Sequence, residues 1–264
     1  MTFDTLFTDT EFVGDMRELL ALLHEAYAYP VDIEFTANFL DDGSYRINLL
    51  QCRPFQVKKE LDMVIEKPVG ISKSDIIFKT EGQILGSSAV MPLDWIICVL
   101  PSEYSKLSQS ERNAVARIIG KLTHLEGKTP GRIMLLGPGR WGTTTPSLGV
   151  PVSFAGINTV SVLCEIASMH EGLVPEISLG THFFNDLVEM NMLYLEISPK
   201  REQVILNEAS LQKALSLFEK LLPKDSKWAD TIRVIQSLDS KNSRQIHFYA
   251  DALKQEALCY LRDI

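Results

Sequence analysis

The feature that most constrains the fold is an Asp-Gly pair between two runs of residues that favour β-strands. Asp42 and Gly43 separate the run 31–40 from the run 45–54, and this arrangement is typical of a β-hairpin with a two-residue loop. The loop determines which residues lie opposite one another in the hairpin. The sequence therefore predicts four opposed pairs, which are Asp32 with Arg53, Ile33 with Cys52, Glu34 with Gln51, and Phe35 with Leu50.

This predicted pairing separates polar from apolar side chains, because alternate residues of a strand point to opposite faces. One face gathers Asp32, Glu34, Gln51 and Arg53, and the other gathers Ile33, Phe35, Leu50 and Cys52. Carboxylate and amide oxygens can bind Mg²⁺, and the planar fork of an arginine matches a phosphate group. The polar face is either a site for a metal-bound phosphate or an ordinary cross-strand ion pair on the surface.

Three short motifs belong to this region: HEAYAYP (24–30), PVDIEF (30–35) and LLQCRPFQ (49–56). Together, over residues 10–56, they resemble the end of the ATP-grasp nucleotide-binding domain of pyruvate, phosphate dikinase and phosphoenolpyruvate synthase. Phe35 stands where that family usually has tryptophan. The resemblance implies that ATP and Mg²⁺ are cofactors, that Glu34 and Gln51 contact the metal or the ATP phosphates, and that Arg53 binds phosphate.

The resemblance also implies a partner. In the family, the nucleotide-binding lysine and arginine and the strands around adenine precede these motifs, so we expect an N-terminal nucleotide-binding half to complete the site. The family's phosphorylated-histidine domain and pyruvate-binding barrel are not visible in the sequence. We therefore expect the C-terminal portion of an ATP-dependent phosphotransferase, inactive alone, whose acceptor is a small phosphorylated metabolite or a pyruvate-like compound. The alternative is a non-catalytic regulatory module that binds a phosphorylated metabolite or a partner.

Composition argues against several other classes of function. A formal net charge of −8 disfavours nucleic acid as a partner. No apolar run approaches the ~20 residues that a membrane-spanning helix requires, and no CxxC spacing suggests a zinc site. The four cysteines are scattered, and we expect them to be reduced core residues of a cytoplasmic protein.

The remaining chain predicts a second domain of mixed α/β class. We place the boundary so that residues 1–56 form the terminal hairpin-and-helix piece of an ATP-grasp domain and residues 57–264 form a mixed-sheet α/β domain. A helix is expected over 108–125, where Ser108 and Glu111 match a capping box. A final helix is expected over 250–262, because Leu253, Ala257 and Leu261 recur at helical spacing.

A second candidate site follows the buried strand expected at 133–136. The run GPGRWG (137–142) is rich in small residues, which allow backbone amides to approach a ligand, and Arg140 adds a cation. The sequence thus predicts an anion-binding loop that includes Gly137, Gly139 and Arg140. The alternative is a tight structural turn in which Arg140 pairs with an internal carboxylate and Trp141 fills the core.

His182 lies near the expected start of a helix, where free N–H groups and a partial positive charge favour phosphate. There it either serves an anion, as a hydrogen-bond donor or a phosphoryl acceptor, or merely makes a local hydrogen bond while Thr181 caps the helix. The stretches GPGRWGTTTPSLGVPVSFAGI and SLGTHFFNDL resemble paired motifs in a subset of phosphoenolpyruvate-synthase-like proteins. That resemblance implies that Arg140 and His182 line one pocket.

Overall fold

The computed structural model describes residues 8, 10–27, 31–40, 43–54, 65–125, 132–167, 182–190, 192–237 and 244–263. The chain divides into two compact units, residues 1–59 and 60–264. The division falls three residues after the boundary expected from the sequence. Both units contain helices and strands, which confirms the mixed α/β class.

The elements of unit 1 that the structure describes in full are one helix and one hairpin. They are α1 (Phe12–Tyr27), β1 (Val31–Phe39) and β2 (Tyr45–Pro54). Among the described residues of this unit, Phe12 alone is buried. Its ring contacts three aromatic rings of the hairpin at centroid distances of 5.9 to 6.4 Å, those of Phe35, Phe39 and Tyr45. The helix therefore packs on the apolar face of the hairpin through its first turn.

The hairpin forms, but its loop is one residue longer than the sequence predicts. The N–H of Leu40 donates to the carbonyl of Ser44 at 2.8 Å, and the N–H of Gly43 donates to the carbonyl of Leu40 at 3.0 Å. The hydrogen-bonded residues Leu40 and Ser44 are therefore separated by three residues, one more than in the predicted two-residue loop. Gly43 has φ +82°, a conformation that glycine adopts without strain at the last position of a three-residue loop.

Farther from the loop, a β-bulge shifts the pairing of the two strands back to the predicted register. Phe35 pairs with Leu49 while Glu34 pairs with Gln51, so Leu50 is the extra residue. The predicted pair of Phe35 with Leu50 is therefore wrong. The other three predicted pairs are confirmed, because one additional residue in β2 compensates for the one additional residue in the loop.

The described residues of unit 2 form two larger sheets and one two-stranded parallel sheet, in which Arg140–Trp141 pairs with Gly149–Val150. Its longer strands are β3 (Ile76–Glu81), β5 (Ala89–Leu93), β6 (Trp95–Val99), β7 (Ile133–Pro138), β10 (Val162–Ile166), β11 (Leu193–Ile197), β13 (Ile232–Gln236), β14 (Arg244–Asp251) and β15 (Glu256–Asp263). Its two-residue strands are β4 (Ile84–Leu85), β8 (Arg140–Trp141), β9 (Gly149–Val150) and β12 (Ile205–Leu206). The six-stranded sheet has the order β13-β6-β7-β10-β11-β4, in which the four central strands are parallel and both edge strands are antiparallel. The five-stranded sheet, β12-β3-β15-β14-β5, is antiparallel throughout.

Helices cover one face of the six-stranded sheet. The α-helices in the described parts of unit 2 are α2 (Pro101–Tyr104), α3 (Gln109–Thr123), α4 (His182–Glu189), α5 (Glu208–Lys213) and α6 (Phe218–Leu221). The capping box expected at Ser108 and Glu111 is confirmed at the start of α3. Apolar side chains of α3 and α4 pack with alternate residues of the parallel strands, such as Leu135 and Leu163, in a helix-side core. Among the described helices, none has the length and apolar character needed to cross a bilayer.

The opposite face of the six-stranded sheet packs on the five-stranded sheet. This second core includes the fully buried thiols of Cys98, Cys164 and Cys259, and all four cysteines are free. Burial raises the pKa of each of these three thiols, so they remain protonated and unreactive at neutral pH. Because both faces of the parallel strands are covered, every position of β7, β10 and β11 is buried.

The helix expected over 250–262 is wrong. Residues 252–255 form a turn, and β15 follows it. Ala257 and Cys259 face the core between the sheets, whereas Leu258 and Tyr260 pack on the other face of β15. Because both faces of β15 are buried, its sequence is a continuous apolar run in which helical spacing occurs by coincidence. Leu253, one of the three residues on which the helix was predicted, is 79% exposed.

Candidate functional site

The polar pair of the hairpin has the geometry that the sequence predicts. Glu34 lies directly opposite Gln51 across the two strands, and both side chains are exposed. Within the described parts of the chain, neither side chain makes a hydrogen bond or an ion pair. A carboxylate and an amide that are adjacent and unoccupied by internal partners are available to a ligand.

The backbones of Asp32 and Arg53 pair as predicted, one rung beyond Glu34 and Gln51. The side chains of both residues lie outside the described atoms, so the phosphate-binding role of Arg53 stays a prediction. Toward the loop, the polar row continues with Thr36, whose hydroxyl accepts from the Asn48 amide at 3.3 Å. The hairpin thus has one face of polar pairs and one face of aromatic residues.

A hydrogen bond joins the helix to the hairpin in unit 1. The hydroxyl of Tyr45 donates to Oδ2 of Asp15 at 2.5 Å. This bond to a carboxylate stabilises the neutral phenol, and it raises the pKa of Tyr45 to about 12. The bond ties β2 to α1 beside the aromatic contacts of Phe12.

In unit 2, the loop GPGRWG uses its backbone amides within the protein. The N–H of Gly139 donates to the carbonyl of Ile166 at 2.9 Å, and that of Arg140 to the carbonyl of Leu148 at 2.9 Å. The next two amides, those of Trp141 and Gly142, donate to Oε1 of Glu165 at 2.9 Å and to the carbonyl of Val150 at 3.0 Å. Residues 139–142 therefore present no unused amide to an anion in this conformation, and a ligand would contact the Arg140 side chain.

The glycines of this loop are required by close packing. A Cβ on Gly137 would lie 2.6 Å from Cζ2 of Trp141. Gly139 has φ +63°, and a Cβ there would lie 2.3 Å from the carbonyl oxygen of Leu148. These contacts explain both glycines structurally, while their contact with a ligand stays a prediction.

Trp141 fills the core, as one interpretation of the motif expects. It is 1% exposed, and its indole Nε1–H donates to the carbonyl of Cys164 at 3.0 Å. The half-buried Arg140 is thereby fixed at the carboxyl end of β7. Ligands of parallel sheets commonly bind at this end of the strands.

Two buried glutamates at this end of the sheet were not assigned from the sequence. Glu165 of β10 is 1% exposed and Glu196 of β11 is 7% exposed, and the two are directly paired in the parallel register. Glu165 accepts from the Trp141 amide through Oε1 and from the Tyr194 hydroxyl through Oε2 at 2.7 Å. The signal for them is a glutamate at the same place in two apolar strands, VLCEI and LYLEI.

Side chains of two preceding helices hydrogen-bond to the segment that follows the glycine-rich loop. The hydroxyl of Tyr104 donates to the carbonyl of Gly149 at 2.8 Å. Arg112 donates to the carbonyl of Pro146 at 3.1 Å and stacks over the Tyr104 ring at 5.3 Å. Burial raises the pKa of the Tyr104 phenol, although the nearby Arg112 opposes this shift. The segment 146–149 is thus attached to α2 and α3.

His182 is the first residue of α4. The next residue, Phe183, lies against the glycine-rich loop, because a Cβ on Gly142 would be 2.3 Å from Cδ2 of Phe183. The start of α4 and the GPGRWG loop are therefore neighbours. The side chain of His182 and the whole of residues 168–181 lie outside the described atoms, so a pocket shared by Arg140 and His182 stays a prediction.

The described residues contain no group of three or more histidine, cysteine, aspartate or glutamate side chains that could hold a metal ion. Any metal at Glu34 and Gln51 would therefore need further oxygen ligands from a bound phosphate or from water. Comparison of the chain with protein-family models, with curated proteins and with solved structures found no match.

Proposed function

We propose that the chain is the C-terminal portion of an ATP-dependent phosphotransferase that resembles phosphoenolpyruvate synthase and pyruvate, phosphate dikinase. In this function the hairpin of unit 1 contacts Mg-ATP. Glu34 and Gln51 contribute oxygen ligands to Mg²⁺, and Arg53 binds an ATP phosphate. The observation that carries the proposal is the direct pairing of Glu34 with Gln51 across the strands.

The donor set fits this use. Mg²⁺ is usually held by one or two protein oxygens, with phosphate oxygens and water completing an octahedron. An exposed carboxylate and an adjacent exposed amide satisfy that requirement without a dedicated cage of acids. When bound, Mg-ATP would supply the phosphoryl group, and these side chains would position it and neutralise its charge.

The surface of unit 1 supports the second element of the proposal, a nucleotide-binding half as partner. Among the residues of this unit that the structure describes, eight large apolar side chains are exposed: Leu20, Leu22, Tyr27, Phe35, Phe39, Leu40, Leu49 and Leu50. The described part of this unit buries little apolar surface, with Phe12 as its buried residue, so a unit of this kind is only marginally stable by itself. Packing against a further domain would cover these side chains and place the rest of the nucleotide site beside the hairpin.

The test uses paramagnetic broadening, which detects weak binding. In NMR spectra of the full chain, Mn²⁺-ATP should broaden the amide signals of Glu34 and Gln51 more than those of Asn38 and Arg46. Glu34→Ala and Gln51→Ala should each remove the difference, whereas Asn48→Ala, on the same face nearer the loop, should retain it. Uniform broadening, or broadening that survives both variants, would remove the hairpin from the nucleotide site.

The alternative function is a regulatory module that binds a phosphorylated metabolite through Arg140. The position of Arg140 at the carboxyl end of the parallel strands favours it. Calorimetry with phosphoenolpyruvate, AMP and inorganic phosphate should then show binding that Arg140→Ala weakens about tenfold or more. Under this alternative the hairpin variants should leave the affinity unchanged.

A further inference from the structure

We propose that residues 65–71 form a detachable strap, which anchors the linker between the two units to unit 2. The strap lies on the outer face of the five-stranded sheet, the face turned away from the six-stranded sheet. An ion pair between Lys67 and Glu256 holds it there. Release of the strap lengthens the free linker while unit 2 stays folded, and this device is independent of the proposed nucleotide site.

Apolar side chains hold both ends of the strap. Ile65 and Ile71 pack on a small buried cluster that consists of Tyr249, Leu258 and Tyr260. These three side chains belong to β14 and β15 and are part of neither of the two large cores. The strap therefore covers apolar surface on a face of the sheet that the rest of the core does not use.

An ion pair fixes the middle of the strap. Nζ of Lys67 donates to Oε2 of Glu256, and Oε1 of the same carboxylate accepts from the Tyr249 hydroxyl at 3.0 Å. Burial raises the pKa of Glu256, but the hydrogen bonds from Lys67 and Tyr249 outweigh this effect, so the pKa is lowered. The carboxylate is therefore charged at neutral pH and attracts the lysine of the strap.

Glu256 stands in the middle of a row of acids. It pairs with Asp251 of β14 and with Glu81 of β3 in the antiparallel register, and neighbouring strands lie about 4.8 Å apart. Each of these two acids forms an ion pair with a lysine of the sheet or of its turn, at 3.1 Å and 3.2 Å. Glu256 instead takes its lysine from the strap, so the strap neutralises the centre of the row.

The strap is attached by side chains and not by its backbone. Within the described parts of the chain, no backbone group of residues 65–71 takes part in a hydrogen bond. The side chain of Lys67 is 45% exposed, and Val69 is 88% exposed. A segment with few buried contacts and no backbone hydrogen bonds can open while the sheet beneath it stays folded. Opening adds seven residues to the free linker, which span up to ~23 Å when extended.

The test measures opening of the strap by limited proteolysis of the full chain. Thermolysin, which cuts before large apolar residues, should cleave the Gly70–Ile71 bond when the strap is detached. The cleavage rate then follows the population of the open form, provided that opening is fast relative to cleavage. Mass spectrometry identifies the cut, and tryptophan fluorescence reports whether unit 2 is folded. We expect cleavage while the fluorescence is unchanged. No cleavage, or cleavage that occurs only as the fluorescence changes, would overturn the proposal.

A variant tests the ion pair. Glu256→Gln keeps the shape of the side chain and should raise the cleavage rate about threefold, as expected for a partly exposed ion pair. Added salt should raise the rate in the unaltered chain more than in this variant, with each rate divided by that of a free peptide of residues 65–75. Glu103→Gln breaks a comparable ion pair with Lys106 in α2 and is the matched control. An unchanged rate in Glu256→Gln, or an equal rise in the control, would overturn the proposal.

Discussion

The two units place their polar side chains in opposite ways. In unit 1, Glu34 and Gln51 are exposed on an open hairpin and lack internal partners among the described residues. In unit 2, Glu165 is buried and oriented by hydrogen bonds from Trp141 and Tyr194. A site like that of unit 2 is preorganised before a ligand arrives, whereas a site like that of unit 1 must be ordered by the ligand or by a partner.

The two units also differ in how many apolar side chains they bury. Unit 1 has Phe12 as its buried residue among those described, while unit 2 contains two extensive cores. All three tryptophans of the chain are in unit 2, namely Trp95, Trp141 and Trp228. Tryptophan fluorescence therefore monitors unit 2 alone, and the stability of the two units can be measured separately.

The largest effect is expected in unit 2 from Trp141→Ala. This change removes a side chain that is 1% exposed and leaves Gly137 facing a cavity, so the free energy of unfolding of unit 2 should fall by about 3–5 kcal/mol. Urea unfolding followed by the fluorescence of Trp95 and Trp228 measures the loss. Trp141→Phe should lose less, because a ring still fills the site. A loss below about 1 kcal/mol for the alanine variant would contradict the view that this loop is built around its tryptophan.

The same contrast explains what the sequence could predict. The hairpin was predictable because it is local and its Asp-Gly pair indicates a chain reversal. The Glu34–Gln51 pair was predicted correctly only because a longer loop and an extra residue at Leu50 cancel at Glu34. The bulge itself was not predictable, because no local pattern reveals it. The β15 strand was mistaken for a helix because both of its faces are buried by distant segments, which removes the polar alternation that identifies a strand.

The glycine-rich loop shows a different limit. Its composition is equally typical of an anion site and of a tight turn, and the choice depends on where its amides donate. Those acceptors, such as the carbonyl of Leu148 and the carboxylate of Glu165, are set by tertiary packing. The position of Arg140 at the end of a buried strand could be predicted from the sequence. That Glu165 lies beside it could not, because this depends on the pairing of β10 with β7.

A medium effect is expected in unit 1 from Asp15→Asn, which tests the bond between helix and hairpin. Loss of the carboxylate should lower the pKa of Tyr45 from about 12 toward its ordinary value near 10. Tyrosine ring signals followed by NMR as a function of pH measure the change. Glu18→Gln, on the same helix, should leave the pKa of Tyr45 unchanged.

The direction of the pH dependence follows from the same shift. The raised pKa means that folded unit 1 holds the Tyr45 proton more tightly than the unfolded chain does. The contribution is complete below pH ~10, the ordinary pKa of tyrosine, and it is lost as the pH rises toward about 12. Asp15→Asn should make unit 1 less sensitive to pH in this window. An equal sensitivity in both proteins would mean that the bond does not connect the helix to the hairpin.

The smallest effect is expected from Leu50→Ser, and it separates exposure in the isolated chain from exposure in a complete assembly. Leu50 is 63% exposed and is the unpaired residue of the bulge, so its replacement should change the stability of unit 1 by no more than about 0.5 kcal/mol. Hydrogen exchange of the hairpin amides measures this, with Phe12→Ala as the contrasting variant that should destabilise the unit strongly. If a nucleotide-binding half covers this surface, Leu50→Ser should weaken association with it while leaving the isolated unit unaffected. A substantial loss of hydrogen-exchange protection in the isolated chain would instead show that Leu50 is buried within unit 1. The contrast between the exposed apolar side chains of unit 1 and the buried cores of unit 2 would then not apply to Leu50.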